Sequence, residues 1–375
     1  MKKLKVGVIG CGRVGSLLER DPLRHKPCSH AGAFSACADT EVTCACDIDP
    51  DKLKQFREDW GVERLYLDYR ELLAKERPQI ISVASWTSTH KDIVVEAANC
   101  GVKVILCEKP ISLSLARADV MIQECRNNKV ALLVNHERRW DQRFLAAKQL
   151  IDDGEIGTLR SIRGSMLCGI PETASWKSDL SLVGGGPLLH DGTHLFDMIR
   201  FFGGEVKSIV GFVHPNERLR IEDWATAILQ LENGVQAYVE VGGQRSYFHF
   251  AIEFWGANGK IAIGNGINDL FVSQESKSFY GFRELAPREF PLPESHKSSY
   301  LAIAEDIVRL KRGSCENRSS GEDARGALEI IWGIYESERL SNSVVNLPLI
   351  EREVSPLMSI LKKKSRKQAP RADRD

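Results

Sequence analysis

The first 135 residues alternate between two hydrophobic patterns. Short, almost continuous apolar runs predict strands at residues 5–9, 42–46, 80–84, 102–107 and 131–134. Amphipathic stretches between these runs predict helices at residues 12–19, 50–60, 69–75, 90–99 and 114–127. Because strands that alternate with helices form parallel sheets covered on both faces, we predict an α/β fold with a doubly wound parallel sheet over residues 1–135.

The pattern changes after residue 150. Alternating apolar and polar residues predict strands at 159–167, 206–214, 224–231, 235–241, 249–255 and 260–263. Two Asn-Gly pairs, at 233–234 and 258–259, are typical of hairpin turns. One helix is predicted at 188–202, and two more follow at 300–312 and 321–340. We therefore predict an α+β domain over residues 136–350, with a large, mainly antiparallel open sheet and C-terminal helices that pack back on the first domain.

Charge is balanced over the chain as a whole. The 375 residues include 51 Lys and Arg against 51 Asp and Glu, so no global field attracts nucleic acid or an anionic membrane. Seven basic and two acidic residues lie in segment 362–375, which we interpret as a flexible, solvated tail. No apolar run approaches the roughly 18 residues of a membrane helix. We expect neither a nucleic-acid partner nor a membrane association.

The first residues and the cysteines of the chain bear on the cellular location of the protein. Lysines at positions 2, 3 and 5 resemble the basic region of a signal peptide. The apolar run that follows, residues 6–9, is shorter than the roughly 7–15 residues of a signal core, so we expect a first strand there instead. The ten cysteines are scattered and include no CxxC pair. We expect buried thiols rather than disulfides or zinc ligands, in a cytoplasmic protein.

Residues 10–15 form a glycine-rich motif, GCGRVG, that follows a predicted strand and opens a predicted helix. In such a GxGxxG turn the first glycine permits the bend, the second lets a pyrophosphate approach, and the third lets helix and strand pack closely. The helix N-terminus would add free N–H groups and a partial positive charge. The motif predicts dinucleotide binding, with the similar turn of a methyltransferase as the alternative. The residues expected to contact the cofactor are Gly10, Gly12, Arg13, Val14 and Gly15.

An acidic residue ends the second predicted strand. Asp47 would accept hydrogen bonds from the adenosine ribose hydroxyls and would repel a 2′-phosphate, which favours NAD over NADP. It lies 37 positions after Gly10, where the usual gap is about 20. The surplus corresponds to a polar stretch, residues 20–29, which is either a lid over the cofactor or surface decoration.

Further motifs follow in a fixed order. They are Ser-Trp-Thr at 85–87, Glu-Lys-Pro at 108–110, Asn-His-Glu-Arg-Arg-Trp at 135–140, and Gly-Gly-Gly-Pro-Leu-Leu-His-Asp-Gly-Thr-His at 184–194. With the glycine turn, this set resembles the Gfo/Idh/MocA family of sugar and cyclitol dehydrogenases over nearly all of residues 1–350. The resemblance implies an N-terminal Rossmann domain and NAD(P)-dependent hydride transfer to or from a secondary alcohol or carbonyl of a sugar-like ring. It also implies a homodimer or homotetramer assembled through the open C-terminal sheet.

The Glu-Lys-Pro triplet supplies the principal acid/base candidate. By resemblance, Lys109 contacts the reacting hydroxyl and Glu108 lies near the nicotinamide ribose. Oxidation of a secondary alcohol needs a base, and a lysine partly desolvated beside a cationic nicotinamide releases its own proton more readily. Lys109 also comes just past a predicted strand end, where doubly wound sheets bind their ligands. The alternative is a surface lysine at a strand end.

The glycine-rich segment of the second domain supplies three substrate-binding candidates. By resemblance, His194 is a second contact to the ring hydroxyls and a proton-transfer partner, a task that suits an imidazole. Many family members have Asp four residues earlier, where this chain has His190; the neighbouring Asp191 would point about 100° away on a helix. His190 is either a neutral ligand of the substrate, which we favour, or a sign that the site has lost its catalytic activity. His190 and His194 are also spaced like a metal pair, but without a clear third ligand we expect no metal.

The remaining candidates flank the first-domain motifs. Ser85 and Trp86 stand where the family often has Thr-Pro, in a loop that lines the nicotinamide. Trp86 would pack on the cofactor or cover the domain edge, and His90 would brace the loop. Arg139 would contact substrate or form an interdomain salt bridge, and Asn135 presents a similar choice.

Together these motifs predict an NAD-dependent oxidoreductase that acts on a sugar, a cyclitol or a derivative. One alternative is a catalytically silent NAD(P)-binding regulator of the same fold, which the presence of His190 favours. Others are a reductase of an activated ketone and a glycosidase that works through tightly bound NAD. The presence of both Lys109 and His194 favours the dehydrogenase.

Overall fold

The computed structural model describes residues 2–169, 180–216, 218–292 and 297–361, and the chain divides into two units. The first comprises Met1–Leu145 and Pro293–Arg325, and the second comprises Ala146–Leu292 and Gly326–Asp375. Residues 136–145 belong to the first unit, and residues 293–325 return to it from the later part of the chain. The predicted tail at 362–375 lies outside the described residues.

A parallel sheet of six strands organises the first unit. Its strands are ordered β3-β2-β1-β4-β5-β6, and each neighbouring pair is parallel, as in a doubly wound dinucleotide-binding sheet. The central strands are fully buried because helices cover both faces. The predicted α/β class and all five predicted strands are confirmed. The strands are β1 (Leu4–Ile9), β2 (Thr40–Cys46), β3 (Leu65–Tyr66), β4 (Ile80–Val83), β5 (Val104–Cys107) and β6 (Ala131–Val134).

The connecting helices follow the amphipathic pattern of the sequence. Side-chain caps fix several of their starts: Ser29 accepts from Gly32 N, and Asp49 accepts from Asp51 N. Two helices, α6 (Gln142–Asp152) and α11 (Gly321–Arg339), have residues in both units. The others that connect the strands are α1 (His30–Ala36), α2 (Pro50–Trp60), α3 (Tyr69–Glu76), α4 (Thr87–Asn99) and α5 (Leu115–Asn127).

The predicted helix over residues 12–19 is wrong. Residues 13–16 form turns, and only a short 3-10 helix follows at Leu17–Arg20. The helix expected behind the glycine turn begins at His30, whose backbone N–H donates to Val14 O at 3.0 Å. The chain therefore leaves the helical path after the glycine turn and returns to it at α1. Residues 16–29 are an insertion, and they explain the long gap before the acidic residue of β2.

The inserted segment 16–29 has a fixed base and an exposed tip. Near its start, Glu19 Oε1 accepts hydrogen bonds from Cys28 N at 2.6 Å and Ser29 N at 2.8 Å. The carboxylate thereby joins the two ends of the excursion. Leu23, near the middle, is 94% exposed. The predicted excursion at residues 20–29 is confirmed in place, but it begins four residues earlier.

Helix α10 (Ser299–Lys311) completes the first unit from a distant part of the sequence. It covers one face of the parallel sheet beside α1. The segment after it also joins the sheet edge, where Ser320 forms an antiparallel bridge with Leu133. The main members of this shared core are Val6, Phe34, Ile80, Trp140, Ile303, Ile307 and Val308.

A nine-stranded sheet organises the second unit. Its order is β14-β13-β12-β11-β7-β10-β9-β8-β15, and only β7 and β10 pair in parallel. The predicted α+β character is confirmed, as are the two Asn-Gly hairpins, which join β9 to β10 and β11 to β12. Strands β13 to β15 were not predicted. The strands are β7 (Leu159–Leu167), β8 (Val206–Asn216), β9 (Ile221–Leu231), β10 (Gln236–Gly242), β11 (His249–Gly256), β12 (Gly259–Gly264), β13 (Ile267–Glu275), β14 (Arg283–Arg288) and β15 (Val345–Asn346).

One face of this sheet carries the short helices of the glycine-rich segment. They are α7 (Leu180–Val183), α8 (Pro187–His190) and α9 (Gly192–Gly203). Helix α9 lies so close to β7 that a Cβ on Gly164 would come within 2.6 Å of Leu195. The single helix predicted at 188–202 is therefore two helices, which meet at Asp191.

Candidate active site

The glycine turn follows β1 directly and fits a pyrophosphate. Gly10 has a φ of 97°, and a Cβ there would lie 2.6 Å from the carbonyl carbon of Ala84. A Cβ on Gly15 would overlap the carbonyl oxygen of Gly10. At Gly12, by contrast, a Cβ would meet no atom within 4 Å, so this backbone is open to an approaching group. The three glycines supply the bend, the open approach and the close packing that a dinucleotide needs.

Asp47 is bound by the glycine turn itself. Its Oδ2 accepts from Cys11 N at 2.8 Å, and its Oδ1 accepts from Asp49 N at 3.0 Å. The carboxylate is held beside the turn, at the place where an adenosine ribose is recognised in such sheets. Lys52 Nζ lies 4.0 Å from Asp47 Oδ1. The same ammonium group lies 3.7 Å from Asp49 Oδ2.

The loop after β4 is braced from behind. Ser85 Oγ and Thr89 Oγ1 are 2.8 Å apart, and Trp86 precedes the first turn of α4. The buried ring of His90 lies between two carbonyl groups, with Nε2 3.2 Å from Ser85 O and Nδ1 3.1 Å from Pro110 O. Burial lowers the pKa of His90, and the carbonyl groups at its two nitrogens oppose that shift. The ring links this loop to the Glu-Lys-Pro loop. Its contacts support the expected bracing role.

The carboxylate of Glu108 is buried directly after β5. Its Oε1 accepts from Asn135 Nδ2 at 2.5 Å and lies 2.8 Å from His30 Nε2, while its Oε2 accepts from Lys109 N at 3.2 Å. Burial would raise the pKa of Glu108, but hydrogen bonds from His30 and Asn135 and the charges of His30 and Lys109 lower it overall. A fixed negative charge thus stands beside the half-buried Lys109.

Asn135 and Arg139 both have structural partners in the first unit. Asn135 Nδ2 binds Glu108, which places this amide in the carboxylate's hydrogen-bond set. Arg139 is 5% exposed, donates to Arg318 O at 2.6 Å and pairs with Asp323 Oδ1 at 3.3 Å. These contacts favour a bracing role for Arg139 over the substrate contact considered above, and its partners lie within one unit.

The junction of α8 and α9 positions the histidines of the second unit. His190 is the last residue of α8, whereas His194 is the third residue of α9 and is 7% exposed. The metal-like spacing of His190 and His194 and the angle of about 100° between the side chains of His190 and Asp191 both assumed one continuous helix. The break between α8 and α9 removes that assumption. Asp191 accepts from the Cys168 thiol at 3.9 Å.

A second buried carboxylate fixes this junction. Glu222, in β9, is 0% exposed and accepts from Gly186 N at 2.9 Å and from Leu188 N at 3.0 Å. Burial raises the pKa of Glu222, although these N–H donors oppose the shift. Because the donors open α8, the carboxylate fixes the backbone that leads to His190.

Three residues that the sequence did not single out support the candidate site: His30, Glu222, and Ser82, whose Oγ lies 2.6 Å from His30 Nδ1. His30 is hidden because the insertion separates it from the glycine turn. Glu222 lies in an ordinary strand pattern, and its partners are more than 30 residues away. A buried His or Glu gives no sequence signal until its long-range partner is known. All the predicted contacts with cofactor and substrate stay predictions, those of Arg13, Val14, Ser85 and Trp86 included.

Three further properties of the described residues concern metal binding, membrane spans and cysteines. Among the described residues, no three His, Cys, Asp or Glu side chains converge as a metal site would require. Within the same ranges, no helix has the length and apolar character needed to cross a membrane. All ten cysteines lie in these ranges as thiols; seven are buried, and burial raises the pKa of Cys44 and Cys46 to about 12.

The first unit has the sheet order and glycine turn of a dinucleotide-binding domain, with Asp47 after β2 bound to that turn, and the second is an open-sheet α+β unit. Together they define a two-unit, dinucleotide-dependent oxidoreductase. The model of an oxidoreductase family with an NAD-binding Rossmann fold matches residues 4–136, and that of the GFO/IDH/MocA C-terminal domain matches residues 144–262. The chain belongs to the Gfo/Idh/MocA family. The predicted family and the NAD-binding fold are confirmed.

Individual relatives agree with this assignment. The chain is 28% identical to myo-inositol 2-dehydrogenase of Thermotoga maritima, across 91% of this chain and 98% of the relative. It is 26% identical to D-apiose dehydrogenase of Paraburkholderia graminis, across 96% and 94%. The crystal structure of an oxidoreductase from Agrobacterium radiobacter, in complex with NAD+, L-tartaric acid and magnesium, superposes with a TM-score of 0.74 at 25% identity, covering 92% and 98%. The predicted oxidoreductase class is confirmed.

Proposed function

We propose that the protein transfers a hydride between NAD and a secondary alcohol or ketone of a sugar, a cyclitol or a derivative. One observation carries this proposal. Lys109 and its carboxylate partner follow β5, two strands from β1 and its glycine turn, at the same edge of one parallel sheet. That edge is where doubly wound sheets bind cofactor and substrate. The inositol and D-apiose dehydrogenases among the relatives support a polyol ring as substrate.

Each named side chain has a proposed task. Bound NAD supplies the hydride acceptor in the oxidative direction. Lys109 Nζ accepts the hydroxyl proton as the carbinol C–H bond breaks and the C=O bond forms, so charge does not accumulate on oxygen. His194 contacts the ring hydroxyls and passes the proton onward, while His190 orients the ring as a neutral ligand. Asp191, Asn135 and Arg139 are kept as candidate substrate contacts, with Arg139 the weakest because its guanidinium is engaged.

The cofactor preference is proposed to be NAD over NADP. Asp47 accepts two backbone N–H bonds and retains lone pairs that ribose hydroxyls would use. A 2′-phosphate would instead meet a carboxylate held in place by the glycine turn. Lys52 offsets part of this repulsion, so we propose weak but measurable NADP binding.

Oligomer formation through the open sheet is part of the proposal. Phe212, Ile228 and Tyr238, on three adjacent strands, are 42–44% exposed and lie on one face. Together with Thr226, they form an apolar stripe of the kind that a symmetric partner covers. Ile228→Glu should convert a dimer or tetramer into smaller species in light scattering. An unchanged mass for this variant would remove this face from the interface.

A cytoplasmic location is also proposed. The ten thiols support it, because a chain that matured in an oxidising compartment would pair its cysteines. Cell fractionation with an activity or antibody readout tests it, and recovery outside the cytoplasm would contradict it.

The test of function is NADH formation at 340 nm. The purified protein is assayed with inositols, aldoses, apiose, uronic acids and sugar phosphates, using NAD and NADP in parallel. Lys109→Met should lower kcat by about a thousandfold while NAD binding is kept. The matched control is Lys103→Met, an exposed lysine just before the same strand, which should leave turnover unchanged.

The same panel separates the alternatives. A Lys109→Met variant with ordinary turnover would remove this lysine from the mechanism. If no compound of the panel yields NADH although NAD binding is demonstrated, the catalytically silent regulator is favoured. Hydrolysis of a glycoside by protein that retains NAD through purification would favour the glycosidase.

A further inference from the structure

A buried chain of hydrogen bonds runs behind the Glu-Lys-Pro loop. His30 is 0% exposed, with Nδ1 2.6 Å from Ser82 Oγ and Nε2 2.8 Å from Glu108 Oε1. Ser82, in β4, is also 0% exposed. Asn135 meets the same Glu108 oxygen from the end of β6. This series of hydrogen bonds thus links three adjacent strands of the parallel sheet with the first residue of α1.

The chemistry of these groups fixes the direction of the hydrogen bonds. An ionised Glu108 can only accept, so His30 Nε2 carries a hydrogen and donates it to the carboxylate. Ser82 Oγ lies within hydrogen-bond distance of the other ring nitrogen, Nδ1. Asn135 Nδ2 lies 3.4 Å from His30 Nε2, and because both atoms are donors, each directs its hydrogen to the shared carboxylate oxygen. Ser82 therefore holds the ring in the orientation in which Nε2 faces Glu108.

His30 is joined to the cofactor turn as well. Its backbone N–H donates to Val14 O, inside the glycine motif. One residue thereby connects the dinucleotide turn, through its main chain, with the charged group beside Lys109, through its side chain. The edge of the Tyr300 ring packs on the imidazole with centroids 6.0 Å apart. The ionisable groups that interact electrostatically with Glu108 or lie beside it include His30, His90, Cys107, Lys109, Glu137 and Tyr300.

We infer that His30 is a positioning residue for Lys109: it holds the Glu108 carboxylate, which accepts from the Lys109 backbone N–H and places a negative charge beside this lysine. The inference rests on the proposed role of Lys109. Without the imidazole, Glu108 keeps the donors of Asn135 and Lys109 N but loses one of its two side-chain donors. A buried carboxylate with fewer donors takes up a proton more readily, which removes negative charge from beside Lys109.

The experiment measures Lys109 directly, without substrate or cofactor. Each lysine of the folded protein is acetylated at a series of pH values, and Lys109 is quantified by mass spectrometry. In His30→Ala, Lys109 should react about threefold to tenfold faster near neutral pH, because less negative charge stabilises its ammonium form. His30→Gln keeps a neutral donor and should restore most of the native profile. Ser82→Ala should shift it in the same direction by less.

A matched control separates this effect from loosening of the unit. Thr40 is 1% exposed, and its hydroxyl donates to Phe34 O at 2.5 Å near the other end of α1. Thr40→Val should lower the melting temperature without moving the Lys109 profile. An unchanged profile in a folded His30→Ala or Ser82→Ala protein would overturn the inference, as would an equal shift in Thr40→Val.

Turnover provides the second readout. In the NADH assay, His30→Ala should lower the maximal kcat about tenfold or more with KM within about threefold, because Lys109 is less well positioned. The acidic limb of the pH profile, which reports deprotonation of Lys109, should move to lower pH. His30→Gln should recover much of this loss. If Lys109→Met is active, the proposed function fails, and the acetylation result still decides the role of His30. If Lys109→Met is inactive and His30→Ala is normal, only the inference fails.

Discussion

The substitution Gly32→Ala tests how the inserted segment 16–29 is held. Gly32 is a buried residue in the first turn of α1, and a Cβ there would lie 2.5 Å from the carboxyl carbon of Glu19. The methyl group would expel that carboxylate from its site. Glu19 Oε1 would then lose its hydrogen bonds from Cys28 N and from the backbone and hydroxyl of Ser29.

The expected magnitude follows from two opposed terms. A hydrogen bond to a charged group stabilises by about 1.5–3 kcal/mol, and water replaces part of this set when the carboxylate leaves. Alanine is better than glycine within a helix by about 1 kcal/mol. If one charged hydrogen bond is lost without replacement, the free energy of local unfolding should fall by about 0.5–2 kcal/mol.

The assay is a double-mutant cycle read by hydrogen exchange over peptides covering residues 16–36. In a Glu19→Ala background the obstruction is gone, so Gly32→Ala should stabilise this region by up to about 1 kcal/mol. The sign of the effect should therefore reverse between the two backgrounds. Equal effects in both backgrounds would refute the role assigned to the Glu19 carboxylate.

Three further substitutions test the candidate site. Asp47→Ala should weaken NAD binding about tenfold or more and narrow its advantage over NADP in calorimetric titrations; unchanged affinities would place the ribose contact elsewhere. Because burial raises the pKa of Glu222 above its ordinary 4.5, the folded state holds that proton more tightly, and stability should decline as pH rises through the raised pKa. Glu222→Gln should flatten this slope in melting curves across pH. His190→Asp should retain turnover with altered substrate preference, and its complete loss would show that the imidazole is required.

The strands were predictable where burial on both faces leaves an apolar run. All strands of the parallel sheet except the two-residue β3 have this pattern. The central strands of the second sheet were predictable from alternating apolar and polar residues instead, because mainly one of their faces is buried. β13 and β14 were not predicted because they lie at one edge of the nine-stranded sheet, where polar side chains and Pro287 are tolerated. β15 pairs through only two residues. The local pattern of hydrophobic residues reflects burial, and edge strands are less buried than central ones.

The first helix was mispredicted for a different reason. The helical hydrogen bond expected within one turn is made instead between Val14 and His30, sixteen positions apart. No local periodicity encodes a helix that is split by an insertion. The candidate site shows the same limit: Lys109 and His194 were found from motifs, whereas Glu222 and Ser82 act through partners distant in sequence. The break at Asp191 likewise depends on how Glu222 binds the start of α8.

The return of the chain to the first unit has a consequence for protein synthesis. A nascent chain of about 145 residues contains all six strands of the parallel sheet but not α10, whose Ile303 and Ile307 cover its apolar face. At roughly 5–20 residues per second, that helix leaves the ribosome on the order of ten seconds or more later. During this interval an apolar face stays open, so the cofactor-binding half needs chaperone protection or delayed folding. A fragment cut after residue 145 would have the same defect permanently.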